Sequence, residues 1–237
     1  MTRTFRHLSL ALLTAGLVGL AAAIGAPADA GDRVSLTTSW ICMGLLSAAL
    51  LIGPLHARRS GRPLFNHLPR RDLAIWGALA GMIHFGLAFR YSMNMEYMAR
   101  FIDGALQAPS AAVRRELYFW SVIAGLVIAA LFLLLLALSS NAALRMVGAR
   151  WWKRLQRASY AAFALTAAHG VVFQIIESRS TPLVAAFALL TTAVIVGQCA
   201  GVVTIRRKTR APGTTGLVES CAESIRPASA TGERHPG

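Results

Sequence analysis

The sequence predicts an all-α protein, a six-helix transmembrane bundle with both termini on the cytoplasmic side. Three observations carry this reading. Of the 237 residues, 55% are hydrophobic and the mean hydropathy is +0.54, more apolar than a soluble domain of this length accommodates. Six apolar runs, at 8–26, 36–55, 73–93, 117–138, 158–176 and 183–205, each approach the roughly 20 residues that cross a bilayer core. The basic residues between the runs alternate by side, as the positive-inside rule requires.

The first run follows Arg3, Arg6 and His7, and Ala28-Asp29-Ala30 beyond it resembles a signal cleavage site. The run exceeds the usual length of a signal core, so it reads as a retained helix. Cleavage there leaves the direction of every later helix unchanged. The second run ends in a basic connection holding Arg58, Arg59, Arg62, Arg70 and Arg71. The third run leads into a connection of mixed sign, with Glu96, Arg100, Asp103, Arg114, Arg115 and Glu116. There Tyr97, Phe101 and Ile102 suggest a short helix lying on the membrane surface or a docking surface for an outer partner. The fourth run ends at Arg145, Arg150, Lys153, Arg154 and Arg157, the fifth is followed by Glu177 and Arg179, and the sixth by Arg206, Arg207, Lys208 and Arg210. One membrane domain over 1–205 is expected, with a disordered cytoplasmic tail over 206–237, where Pro, Gly, Ser and Thr replace the apolar residues. No internal repeat is obvious, and no strands are expected.

The formal net charge is +14, yet the basic residues sit beside spans instead of interleaving with aromatics on one face. They report orientation and contact with anionic lipid, not nucleic-acid binding. Cys42, Cys199 and Cys221 are far apart and match no zinc or c-type haem spacing. No Ser/His/Asp or Cys/His arrangement and no paired carboxylates point to hydrolysis. The spans also lack the acidic pairs and broken helices of a transporter.

What remains is a pair of histidines, His84 and His169, each in the middle of a span. An imidazole at membrane depth is costly without a partner, so it usually faces the bundle interior and works there. Each lies about eleven residues from the cytoplasmic start of an outward-running span, or roughly 16 Å at about 1.5 Å per residue. Matched depth on parallel helices suits two axial ligands of one haem iron. Filling both axial positions favours electron transfer over oxygen chemistry. Gly77, Gly81, Ala80, Ala88 and Tyr91 share the His84 face. Their small side chains form either a trough for a flat macrocycle or an ordinary close helix contact. Ala162, Leu165, Thr166, Val172 and Phe173 give His169 an apolar wall. His56 and His67 fall in the basic connection and read as solvated, and His7 and His235 are terminal. The competing reading is a multipass scaffold without cofactor.

Two blocks carry a resemblance. Gly53-Pro54-Leu55 through Arg62-Pro63 and Arg70-Arg71-Asp72-Leu73 to His84 form the first. Ser140-Asn141 through Leu144, Gly148, Trp152, Leu155-Gln156-Arg157 and Tyr160 to His169 form the second. Over about 42–173 the chain resembles the ferric reductase-like transmembrane domain family, most nearly its branch of haem subunits of methionine sulfoxide reductase systems. The resemblance implies a six-helix haem b protein of the bacterial inner membrane. It would pass electrons from a cytoplasmic donor or quinol to an outer acceptor, with His84 and His169 as the iron ligands. Family members usually carry a further histidine thirteen residues before the last, where this chain has Gln156, a poor iron ligand. Arg70, Arg71, Arg154 and Arg157 are expected at the cytoplasmic mouths of the two histidine helices. Such arginines suit a flavin phosphate, a quinone or a haem propionate, or simply lipid headgroups.

Overall fold

The protein is described by a computed structural model covering residues 3–23, 30–60, 68–92, 111–177 and 179–209, among which no strand occurs. The helices are α1 (Arg3–Ala23), α2 (Ala30–Ser60), α3 (Leu68–Ser92), α4 (Ala111–Ala137), α5 (Asn141–Val147), α6 (Ala149–Leu155), α7 (Ala158–Ile176) and α8 (Thr181–Thr209). Among the described residues, α2, α3, α4, the α6–α7 segment and α8 are each long and apolar enough to cross a membrane. The apolar stretch of α1, Thr4–Leu20, is shorter. Large apolar side chains point outward, with Leu189 74%, Leu12 65% and Trp120 64% exposed. A water-soluble monomer rarely tolerates such a surface, whereas lipid is as apolar as leucine and imposes no penalty. The chain is accordingly read as a multi-pass membrane protein.

Helix ends and apolar runs do not coincide. α2 starts at Ala30 and α4 at Ala111, each six residues before the apolar run expected there, because backbone hydrogen bonding continues past the point where hydropathy falls. For the same reason α8 carries Arg206 and Arg207, expected in the tail, on to Thr209. The basic connection after α4 is not a plain loop. Ser140 caps α5 by accepting a bond from the Ala143 N–H at 3.0 Å, and Gly148, at φ 78°, turns the chain into α6. A residue with a Cβ is strained at that angle. The Trp152 indole then donates to the Leu138 carbonyl at 2.9 Å, folding the connection back against the end of α4. The surface helix expected around 94–103 and the tail beyond 209 lie outside the described residues.

α2 packs on α3 and α8, α4 on α7, and α3 on α4, while α1 lies against α2 and α3. Met43, Leu46, Ala78, Phe132, Phe163 and Val194 belong to the shared core. The α2–α8 contact repairs a defect written into α2. Pro54 lies inside that helix and has no N–H to offer the carbonyl four residues earlier. That carbonyl belongs to Leu50, and the Gln198 side-chain amide donates to it at 2.7 Å. Gly201 lets the helices close, since a Cβ there would come within 2.9 Å of the Pro54 ring. Gln198→Leu is expected to destabilise the protein by about 1 kcal/mol, the scale of an intramembrane hydrogen bond. The loss should shrink in a Pro54→Ala background, where the helix serves Leu50 itself. A double-mutant cycle on unfolding in mixed micelles measures the coupling.

Candidate functional site

α3 runs antiparallel to α2, and α7 to α4, so the core contains two antiparallel helix pairs that meet along α3 and α4. Between them lies a cavity of about 440 Å³, within the roughly 300–1,000 Å³ typical of ligand pockets. Both His84 and His169 line it.

The two histidines are held in the same way. His84 Nδ1 is 2.9 Å from the Ser35 carbonyl oxygen and 3.1 Å from the Ser35 hydroxyl. His169 Nδ1 is 3.0 Å from the Ser121 carbonyl oxygen and 3.1 Å from the Ser121 hydroxyl. A carbonyl oxygen only accepts, so Nδ1 carries the proton in each ring and donates it. The neutral imidazole then keeps its lone pair on Nε2. Each serine is on the first helix of its pair and each histidine on the second, 49 residues apart in one case and 48 in the other.

The equivalence extends to most of the lining, Phe132, Glu177, Arg179 and Phe187 apart. On α3 it comprises Gly81, His84, Phe85, Ala88 and Phe89, and on α7 Thr166, His169, Gly170, Phe173 and Gln174, the same offsets from each histidine. On α2, Asp32, Leu36, Ser39, Trp40, Cys42 and Met43 stand at the same offsets from Ser35 as Tyr118, Val122, Gly125, Leu126, Ile128 and Ala129 from Ser121 on α4. The two pairs are therefore used in one register. The sequence hides it because equivalent positions carry different residues, such as Asp32 and Tyr118 or Trp40 and Leu126.

Comparison with family models, with curated proteins and with solved structures gives no match for this chain. The site is therefore argued from its own chemistry.

Of the residues expected around it, Gly81 and Ala88 line the cavity together with the two histidines. Gly77 does not; a Cβ there would stand 3.2 Å from Leu46, so that glycine serves the contact of α2 with α3. Gly81 does both, being covered by the Phe132 ring and the Cys42 sulfur. The side chain of Tyr91 lies outside the described residues. Arg70, Arg71, Arg154 and Arg157 are not part of the lining. A Cβ on Gly53 would lie 3.7 Å from the Arg70 guanidinium, and Arg154 stacks over Trp151 at 5.0 Å. Among the described residues no three His, Cys, Asp or Glu side chains converge to hold a metal ion.

Sequence reasoning missed the end of the cavity at Asp32, Gln174, Glu177 and Arg179. Glu177 and Arg179 form an ion pair. Burial pushes the Glu177 carboxyl above its ordinary range and nearby Asp32 adds to the rise, while Arg179 opposes it. From that end the lining follows α4 from Tyr118 to Phe132, roughly 21 Å at about 1.5 Å per residue. The His169 ring sits 4.9 Å from that of Phe173, which in turn meets Tyr118 edge-on. The walls are thus mostly apolar, with two imidazoles in the middle and polar groups at one end.

Proposed function

We propose that this chain is a haem b electron-transfer protein of a bacterial inner membrane, related to the ferric reductase-like family and within it to MsrQ. The observation that carries the reading is the pair of Nδ1-bonded histidines in equivalent register on one cavity. Metal-bound histidines characteristically donate their other N–H to a carbonyl, which fixes the tautomer and orients the ring. Both imidazoles here have that arrangement. Two protein donors alone make a poor site for a bare ion, which needs four or more ligands. They suit an iron whose other four ligands come from a macrocycle.

The residues present fit that group. The apolar lining suits a porphyrin, Gly125 leaves space beside the His169 ring, and the polar end near Arg179 suits carboxylate substituents. When bound, haem supplies a one-electron carrier. The chain's part is to hold both ligands in fixed rings on packed helices, which keeps reorganisation small, and to exclude water from the middle of the site.

In this reading six helices cross the bilayer with both termini inside, which puts Glu177 and Asp32 at the outer face. A cytoplasmic donor, quinol or reduced flavin, would meet the arginine-rich inner face around Arg70, Arg71, Arg154 and Arg157. An oxidised acceptor protein would dock outside. The test is the spectrum of the full chain, expressed with ample haem and purified in lipid nanodiscs. A low-spin spectrum with an α band sharpened by dithionite is expected. A colourless preparation assigns the bundle to the cofactor-free scaffold reading.

A further inference from the structure

The two serine–histidine clamps are alike in contacts but not in surroundings. Thr38, 0% exposed, directs its hydroxyl to the Val34 carbonyl and to the Ser35 carbonyl, each at 2.9 Å. The Ser35 carbonyl therefore receives both the Thr38 hydroxyl and the His84 Nδ1–H. On α4, about one turn beyond Ser121, the position equivalent to Thr38 is Ala124, which has no hydroxyl, so the Ser121 carbonyl carries no such competitor.

We propose that Ser35 and Ser121 are the positioning residues of the two ligand histidines, and that Thr38 makes the pair unequal by weakening the hold on His84. This rests on the haem reading for its consequence, though not for its geometry. An imidazole that donates more strongly through Nδ1–H is a stronger base at Nε2. A stronger base favours the ferric state and lowers the reduction potential, which hydrogen bonding around an iron site tunes in this way. The serine hydroxyls lie within reach of the same Nδ1–H and add a second acceptor to it. The chain thus sets its two ligands at different strengths from within the helices that precede them.

Two measurements on the full chain in nanodiscs separate the proposal from the reading beneath it. In haem-free protein with ¹⁵N-labelled histidine at neutral pH, resonances assigned through His84→Ala and His169→Ala should show both rings protonated at Nδ1. An Nε2-protonated ring at either position overturns the clamp, whatever binds in the cavity. In haem-loaded protein, Thr38→Val should lower the reduction potential, while Ser35→Ala and Ser121→Ala should raise it, all three keeping the low-spin spectrum. A role confined to folding predicts no opposed signs. Unchanged potentials, or shifts of one sign in all three variants, overturn the tuning. Failure of the unmodified chain to bind haem defeats the reading and the tuning together, and the tautomers then decide the clamp separately.

Discussion

Replacing either His84 or His169 by alanine should abolish the low-spin haem spectrum, while His56→Ala should leave it intact. Each cavity-lining imidazole presents a free Nε2 because its Nδ1 proton is committed to a serine carbonyl. Removing one would leave the iron one histidine short, and the side chains one turn away on the same helix offer no ligand in its place. The neighbours one turn away are Gly81 and Ala88 on α3, and Thr166 and Phe173 on α7. The loss should therefore be complete in spectral character even where some pigment stays bound. The structural cost is far smaller. One hydrogen bond between helices is lost at each position, worth about 1 kcal/mol, so both variants should still purify as folded protein. A folded, helical His84→Ala protein without the low-spin spectrum is the expected outcome. A variant that keeps the low-spin spectrum shows that the iron ligands are other residues, and the cavity loses its assignment.

The histidines were legible in the sequence because an imidazole amid apolar residues has few explanations. Five of the six expected spans were legible as helices long and apolar enough to cross a membrane, because hydropathy measures directly what a bilayer selects. Hydropathy says little, however, about where a helix stops or which residue packs where. Gly77 and Gly81 share one face of α3, yet Leu46 fills the space beside the first and Phe132 that beside the second. Small residues reveal that something approaches closely, without revealing what. Charge places Arg70, Arg71, Arg154 and Arg157 along the membrane normal, whereas a cavity lining depends on lateral position, and none of the four belongs to that lining. Ser35 and Ser121 escaped notice because a serine within an apolar helix commonly bonds its own backbone. Their role emerges only when partners nearly 50 positions away are brought alongside. The sequence shows nothing of the depth of Asp72 either, since a carboxylate among basic neighbours does not reveal which segment covers it, and it is 1% exposed.

That buried carboxylate sets the largest expected stability effect in the protein. Arg6→Ala should destabilise it by about 3 kcal/mol, the lower end of what breaking one side of a buried ion pair costs. Arg6 reaches Asp72 Oδ2 through Nε at 3.0 Å and through its terminal nitrogen at 2.9 Å. His7 Nε2 lies 3.4 Å from Oδ1, and the Trp76 indole donates to His7 Nδ1 at 3.0 Å. Because Nδ1 accepts from Trp76, the proton of a neutral His7 is on Nε2, facing the carboxylate. Arg6 then supplies the formal charge and His7 only a dipole. Asp72→Asn in the Arg6→Ala background should recover much of the loss, since an amide tolerates burial without a cation. Lysine in place of Arg6 should fall between, keeping the charge but losing the directed Nε–H bond to Oδ2. Unfolding in mixed micelles measures all three. The same contacts bear on the leader-like pattern after α1. Cleavage after Ala30 would remove Arg6 and His7 together and strip Asp72 of both, so the folded bundle favours keeping α1. Intact mass of the protein purified from membranes should accordingly include residues 3–23, and a product beginning at Gly31 would show that the bundle tolerates Asp72 without Arg6 and His7.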